Sequence, residues 1–220
     1  MNKQAGFTLI ELAIVLVIIG LLLGGVLRGQ ELINSAKVKN MARDFQNVQV
    51  YIYGYQDKYK ALPGDDKNAQ THVGSTAAQG AVPPAGNGVI DGSWFNPAIT
   101  DESYIFWQHV RLAGLAPGPT VIGAANYLPT NADGGQIGIQ SVTGFTYVDV
   151  LPKLGGMSGA YVVCSDGILG KFAKQLDTTL DDGVGDTGSV RIQVQGGAAT
   201  NGVAAPVDST PYTVCMSFWK

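Results

Sequence analysis

"GFTLIELAIVLVIIGLLLGGVL", residues Gly6–Leu27, is an apolar run broken by one charge, Glu11. At 1.5 Å per residue, a helix over residues 7–27 reaches about 30 Å, the thickness of a bilayer core. The run predicts a single membrane-spanning helix. A carboxylate near the middle of such a helix costs about 2.5–3.5 kcal/mol to insert, so Glu11 is expected to be paired or to have a function. The alternative is that Glu11 lies near the membrane edge and reaches out to water. A secretory signal peptide carries its small-residue cleavage site after the apolar run. Here Gly6 precedes the run, and no such site follows Leu27.

Beyond Leu27 the chain continues without proline to Leu62-Pro63. Met41, Phe45, Val48, Ile52, Tyr55 and Tyr59 recur at alternating spacings of three and four, which draws one apolar seam along a helix. Residues 28–62 therefore read as an amphipathic continuation of the first helix, packed by its seam on a head formed by residues 63–220. The residue before a proline avoids α geometry, so the helix over about residues 7–62 is expected to stop at Leu62. Gly20, Gly24, Gly25 and Gly29 form two consecutive G-x-x-x-G spacings. They are either points of close helix approach or ordinary glycines of a membrane helix, and in both cases they weaken it locally.

Charge divides the chain. Residues 1–62 hold seven Lys/Arg and four Asp/Glu, whereas residues 63–220 hold seven Lys/Arg and thirteen Asp/Glu. The acidic head argues against nucleic acid as its main partner. Two cysteines, Cys164 and Cys215, both fall late in the chain. In an exported head they would form one disulfide; the alternative is two buried thiols. No CxxC spacing points to zinc or dithiol redox chemistry.

The string MNKQAG-FTLIELAIVLVIIG closely resembles the N-terminus of type IV pilins and type II secretion pseudopilins. The short leader Met1–Gly6, the Gly6–Phe7 junction and the Phe-Thr-Leu-Ile-Glu-Leu sequence all match that pattern. The resemblance implies cleavage after Gly6 by prepilin peptidase and methylation of the new amine on Phe7. It implies insertion in the inner membrane with the head outside the cytoplasm, and handover from lipid to an assembly platform. The product would be a helical polymer with itself or other pilins, either periplasmic or extracellular. Glu11, four residues beyond Phe7, would pair with the N-terminal amine of a neighbouring subunit. A late cysteine pair is also similar to many type IV pilins, as are the stretches DESYIFWQHVRLAGL and DTTLDDGVGDTGSVR to segments of pilin-like bacterial proteins. One departure stands out: many relatives carry a proline soon after the apolar run, and this chain has none before Pro63. The resemblance leaves three roles: pilus subunit, pseudopilin, or a minor pilin that binds a target at a filament tip.

The head reads as α+β, with an antiparallel sheet and short helices. Residues 64–100 lack periodicity and read as a long loop. Thr100–Ala113 reads as a helix closed by Gly114. Strands are expected at Ile137–Val142, Phe145–Val150, Gly159–Cys164, Val190–Gln195 and Tyr212–Phe218. Leu169, Phe172, Ala173, Leu176 and Leu180 mark an amphipathic helix. Alternation in the last strand puts Cys215 on its more polar face. Asp177, Asp181, Asp182 and Asp186 could converge on Ca2+ through oxygen ligands, or serve turns. Asn87–Gly92, NGVIDG, lacks ligands at EF-hand spacing and reads as a turn. Trp94, Trp107 and Trp219 are expected to fill the core. His72 and His109 stand in no metal-binding spacing, and no G-x-S-x-G or P-loop occurs, so an enzyme is not expected.

Overall fold

The first helix begins where its cap allows and ends where its backbone turns left-handed. In the computed structural model, which describes residues 8–81, 85–142, 157–196 and 202–218, α1 runs Leu9–Tyr59 without a break. It stops three residues before the expected Leu62. Lys60 adopts φ +54°, although its N–H still reaches Gln56 O at 2.8 Å. The turn therefore precedes Pro63 and is set by Lys60 itself.

The chain divides into two units, Met1–Lys37 and Val38–Lys220. In the first, the large apolar side chains of α1, such as Ile10, Leu16 and Leu21, are exposed. In the second, the seam is buried: Val38, Met41, Ala42, Phe45, Val48, Ile52 and Tyr55 all lie inside. Each fully buried large apolar side chain contributes roughly 1.5–3 kcal/mol.

Three shorter helices follow: α2 (Ala69–Val73), α3 (Glu102–Leu112) and α4 (Gly170–Leu180). The predicted end of α3 is met by chemistry. Gly114, at φ +76°, donates to Arg111 O and Leu115 donates to Val110 O, the paired bonds of a Schellman motif. Among the described residues, β1 (Ile137–Ser141), β2 (Tyr161–Leu169), β3 (Val190–Val194) and β4 (Pro211–Phe218) form one sheet of order β1-β2-β4-β3, antiparallel throughout. The fold is α+β. The expected strand Phe145–Val150 and Trp219 lie outside the described residues.

One face of the sheet, including Ile139, Val163, Ile192 and Val214, packs with the α1 seam and with Phe172, Ala173 and Leu176 of α4. The opposite face is not polar and open, as alternation suggested for Cys215. It is roofed by Trp94 and Met157, which pack with Val162, Cys164 and Cys215. The roof is tied down by Gln140 Oε1, which accepts from Trp94 N at 2.7 Å, and by Gln136 Nε2, which donates to Trp94 O at 2.8 Å. Gly138 makes this possible, because a Cβ there would overlap the Trp94 carbonyl. Beneath the roof, Cys164 and Cys215 are register partners joined by a disulfide.

β2 outlasts its expected end at Cys164. Gly167, at φ +67°, takes up a register shift between Ser165 and Ile168, and the strand continues to Leu169. Residues 64–100, read as loop, hold α2, including His72, and several buried anchors. Asp65 is buried and accepts the amides of Gly86, Asn87 and Gly88, which builds the NGVIDG turn.

Candidate assembly segment and acidic corner

Thr8 and Glu11 close the start of α1 on each other. Glu11 Oε2 accepts from Thr8 N and from Thr8 Oγ1, both at 2.8 Å, while Thr8 Oγ1 accepts from Glu11 N at 3.3 Å. This reciprocal arrangement is a capping box. It satisfies amides that a helix end otherwise leaves without partners. The signal for Thr8 is local in the sequence: threonine, two residues, then glutamate before an apolar run. Its hydroxyl fixes one oxygen of Glu11 at the end of a helix whose other side chains to Leu27 are apolar or glycine. Gly20, Gly24, Gly25 and Gly29 all lie within unbroken α1, and a Cβ at any of them would meet nothing within 4 Å. Gly6 and Phe7 lie outside the described residues.

α1 is also long and apolar enough to cross a membrane. Residues 1–27 match the family model of the prokaryotic N-terminal methylation motif. This methylation motif is the signature of type IV pilins and pseudopilins. It takes in Gly6, Phe7 and Glu11 together with Gly20, Gly24 and Gly25; Gly29 and the head lie beyond it. No curated protein and no solved structure matches the chain. The methylation motif is thus the part of the chain tied to known proteins by sequence.

The four aspartates do not act as one group. Carboxylate oxygens of Asp177, Asp181 and Asp182 lie within 4.8 Å of one another. Asp186 is not among them. Gly185 is pinned to β3 by its carbonyl, which accepts Ile192 N at 2.8 Å, and Asp186 is turned against Gly202. Asp181 Oδ2 accepts the amides of Ser189 and Val190. Asp182 accepts Val184 N at 2.9 Å and Thr187 Oγ1 at 2.6 Å, bonds that hold its carboxyl below the usual range. Asp177 is fully buried, and the backbone of Gly183 and the charge of Arg191 are its favourable surroundings. Burial, and then the charges of Asp182 and Asp181, push its carboxyl up to about 6.

Neither histidine is free for chemistry. His109 is fully buried; its Nδ1 accepts Gly64 N at 3.0 Å and its Nε2 lies 2.6 Å from Gln79 O, which fixes a neutral ring. His72 Nδ1 lies 2.7 Å from Asp66 Oδ2, an oxygen that also accepts Tyr55 Oη at 2.8 Å. These groups tie α1, α2 and α3 together. Trp94 and Trp107 are buried, so they offer no exposed aromatic surface.

A second buried acid sits at the first turn of α3. Glu102 Oε2 accepts Asp91 N at 2.9 Å, and its carboxyl faces the Asp65 carboxyl, a side-chain contact that favours the protonated form. Burial pushes this carboxyl up to about 8, and the nearby charges of Asp65 and Asp91 push the same way.

Proposed function

We propose that this chain is the precursor of a structural subunit of a type IV pilus-like filament. The observation that carries the reading is the methylation motif over residues 1–27. Prepilin peptidase would hydrolyse the Gly6–Phe7 bond and methylate the Phe7 amine. The apolar part of α1 would hold the subunit in the inner membrane, head outside the cytoplasm. The assembly platform would then transfer it into a polymer in which this same apolar surface packs on other subunits.

Glu11 gives the polymer its register. Cleavage places a positive amine one helical turn before it, and a neighbour's amine brought to Glu11 offsets the cost of a carboxylate in an apolar environment. The Thr8 hydroxyl and amide hold one Glu11 oxygen and leave the other for that neighbour. The Cys164–Cys215 disulfide fits an oxidising compartment outside the cytoplasm. The role is structural, with no catalytic step assigned to the head.

Glu11→Ala and Gly6 substitutions separate the stages. The Glu11→Ala chain is expected to insert and be cleaved but to give few filaments in sheared surface fractions. A Gly6→Leu chain is expected to stay uncleaved in the membrane. Normal filament yield from either variant would overturn the proposal.

A further inference from the structure

We infer that a proton on Glu102, donated to the buried Asp65 carboxylate, clasps the turn at residues 86–91 onto the start of α3 and releases it at alkaline pH. Three segments distant in sequence meet at this pair. Gly64, at φ +95°, lies so close to Glu102 O that a Cβ there would overlap it, and its amide donates to His109 Nδ1 at 3.0 Å. That close approach delivers Asp65 to the first turn of α3. Asp65 then accepts the amides of Gly86, Asn87 and Gly88. The same turn reaches α3 again: Asp91 N donates to Glu102 Oε2 at 2.9 Å, and Ser103 N donates to Asp91 O at 3.0 Å.

The donors decide which acid carries the proton. Asp65 uses both oxygens as acceptors for three N–H groups. Glu102 accepts one, through Oε2, and its carboxyl faces the Asp65 carboxyl. Both residues are 3 % exposed, so water does little to screen them from each other. A proton on Glu102 turns a repulsion between two carboxylates into an O–H donated to one. Its loss to solvent leaves two buried negative charges in contact beneath the turn.

No nearby cation takes the place of that proton. Among the described residues, the charges that weigh on Glu102 are those of Asp65 and Asp91, and both favour the protonated form. The other titratable groups around the pair are engaged elsewhere. Asp101 Oδ2 accepts Ala98 N at 2.8 Å, and Asp66 Oδ2 is shared by Tyr55 and His72. His109 lies between Gly64 N and Gln79 O. Tyr161 of β2 has its hydroxyl raised by burial and then by the charge of Asp65. The Lys67 stem runs beside Gly86.

The size of the effect follows from linkage. The Glu102 carboxyl sits at about 8 with the turn closed and has an ordinary value of 4.5. The closed turn therefore binds the proton more tightly and loses its advantage as pH rises to about 8. Between pH 6 and pH 9.5 the opening equilibrium should rise roughly hundredfold.

The test uses the full chain in detergent micelles. The Glu102 carboxyl 13C resonance is followed across the pH range, and exchange of the turn amides is measured by NMR and normalised to unstructured-peptide rates. Glu102 is expected to be protonated at pH 6 and to titrate near 8. Normalised exchange at Gly86, Asn87, Gly88 and Asp91 should rise roughly hundredfold from pH 6 to pH 9.5, yet stay faster than that of the β4 amides at each pH. In Glu102→Gln the side-chain amide donates at every pH, so the rise should fall below about threefold. A Glu102 ionised at pH 6 would overturn the clasp. So would a rise below about threefold in the unaltered chain, or an undiminished rise in Glu102→Gln. Equal exchange in the turn and in β4 would overturn it too, since the turn would then open only with the whole head. The measurement needs no filament, so its failure leaves the assembly reading intact.

Discussion

Replacing Glu102 by glutamine should stabilise the head, and increasingly so as pH rises. Glu102 is 3 % exposed, and Asp65, through its charge and its side-chain contact, and Asp91 raise its carboxyl further. Its folded value, about 8, lies above the ordinary 4.5. The folded chain therefore binds the proton more tightly than the unfolded chain does. Stability from this group is full below pH 4.5, falls as pH rises through the interval to about 8, and stays low above it. At about 1.4 kcal/mol per tenfold change in proton affinity, the total loss is roughly 3–5 kcal/mol. Glutamine preserves an acceptor for Asp91 N, offers an amide donor towards the Asp65 carboxylate, and does not ionise. Urea unfolding of the full chain in micelles, followed by circular dichroism from pH 5 to pH 9, should show the two proteins close together at pH 5. The variant should be more stable by several kcal/mol at pH 9. Parallel profiles, or a variant less stable at every pH, would refute the reasoning, since Glu102 would then be ionised and satisfied throughout.

Three further perturbations address the packing. Ile52→Ala removes a fully buried seam residue from the core shared by α1 and the sheet, and should cost about 2–5 kcal/mol in urea unfolding. The paired change Cys164→Ala and Cys215→Ala opens a link across a sequence separation of 51 and should cost about 4 kcal/mol in the chain-entropy model, read as a lower urea midpoint with the same fold by circular dichroism. Gly138→Ala forces the Trp94 carbonyl off β1, with an expected loss of about 1–3 kcal/mol and a red-shifted tryptophan emission as the roof lifts.

The parts of the chain legible in the sequence are those whose cause is local. The α1 seam follows from spacing, and every seam residue from Met41 to Tyr55 is buried. The Schellman end of α3 follows from Gly114. The capping box is equally local, encoded by Thr8 and Glu11 three residues apart. What stayed hidden depends on contacts distant in sequence. Residues 64–100 have no periodicity because their order comes from single anchors, such as Asp65 gathering three amides some twenty residues away. The polar alternation of β4 suggested an open face because nothing in its own sequence announces Trp94 as a roof. Serine, aspartate and glycine at 165–167 resemble a turn, yet a positive φ at Gly167 keeps β2 in the sheet. Among the four aspartates, composition could not separate Asp186 from the three that meet; only the pinning of Gly185 does so.

The most direct test of the filament reading is mass spectrometry of the N-terminal peptide from sheared surface fibres of cells expressing this chain. The expected peptide begins at Phe7, carries one methyl group on its amine, and comes from a protein abundant in the fibre fraction. A chain recovered intact from Met1, or absent from fibres while present in the membrane, would contradict it.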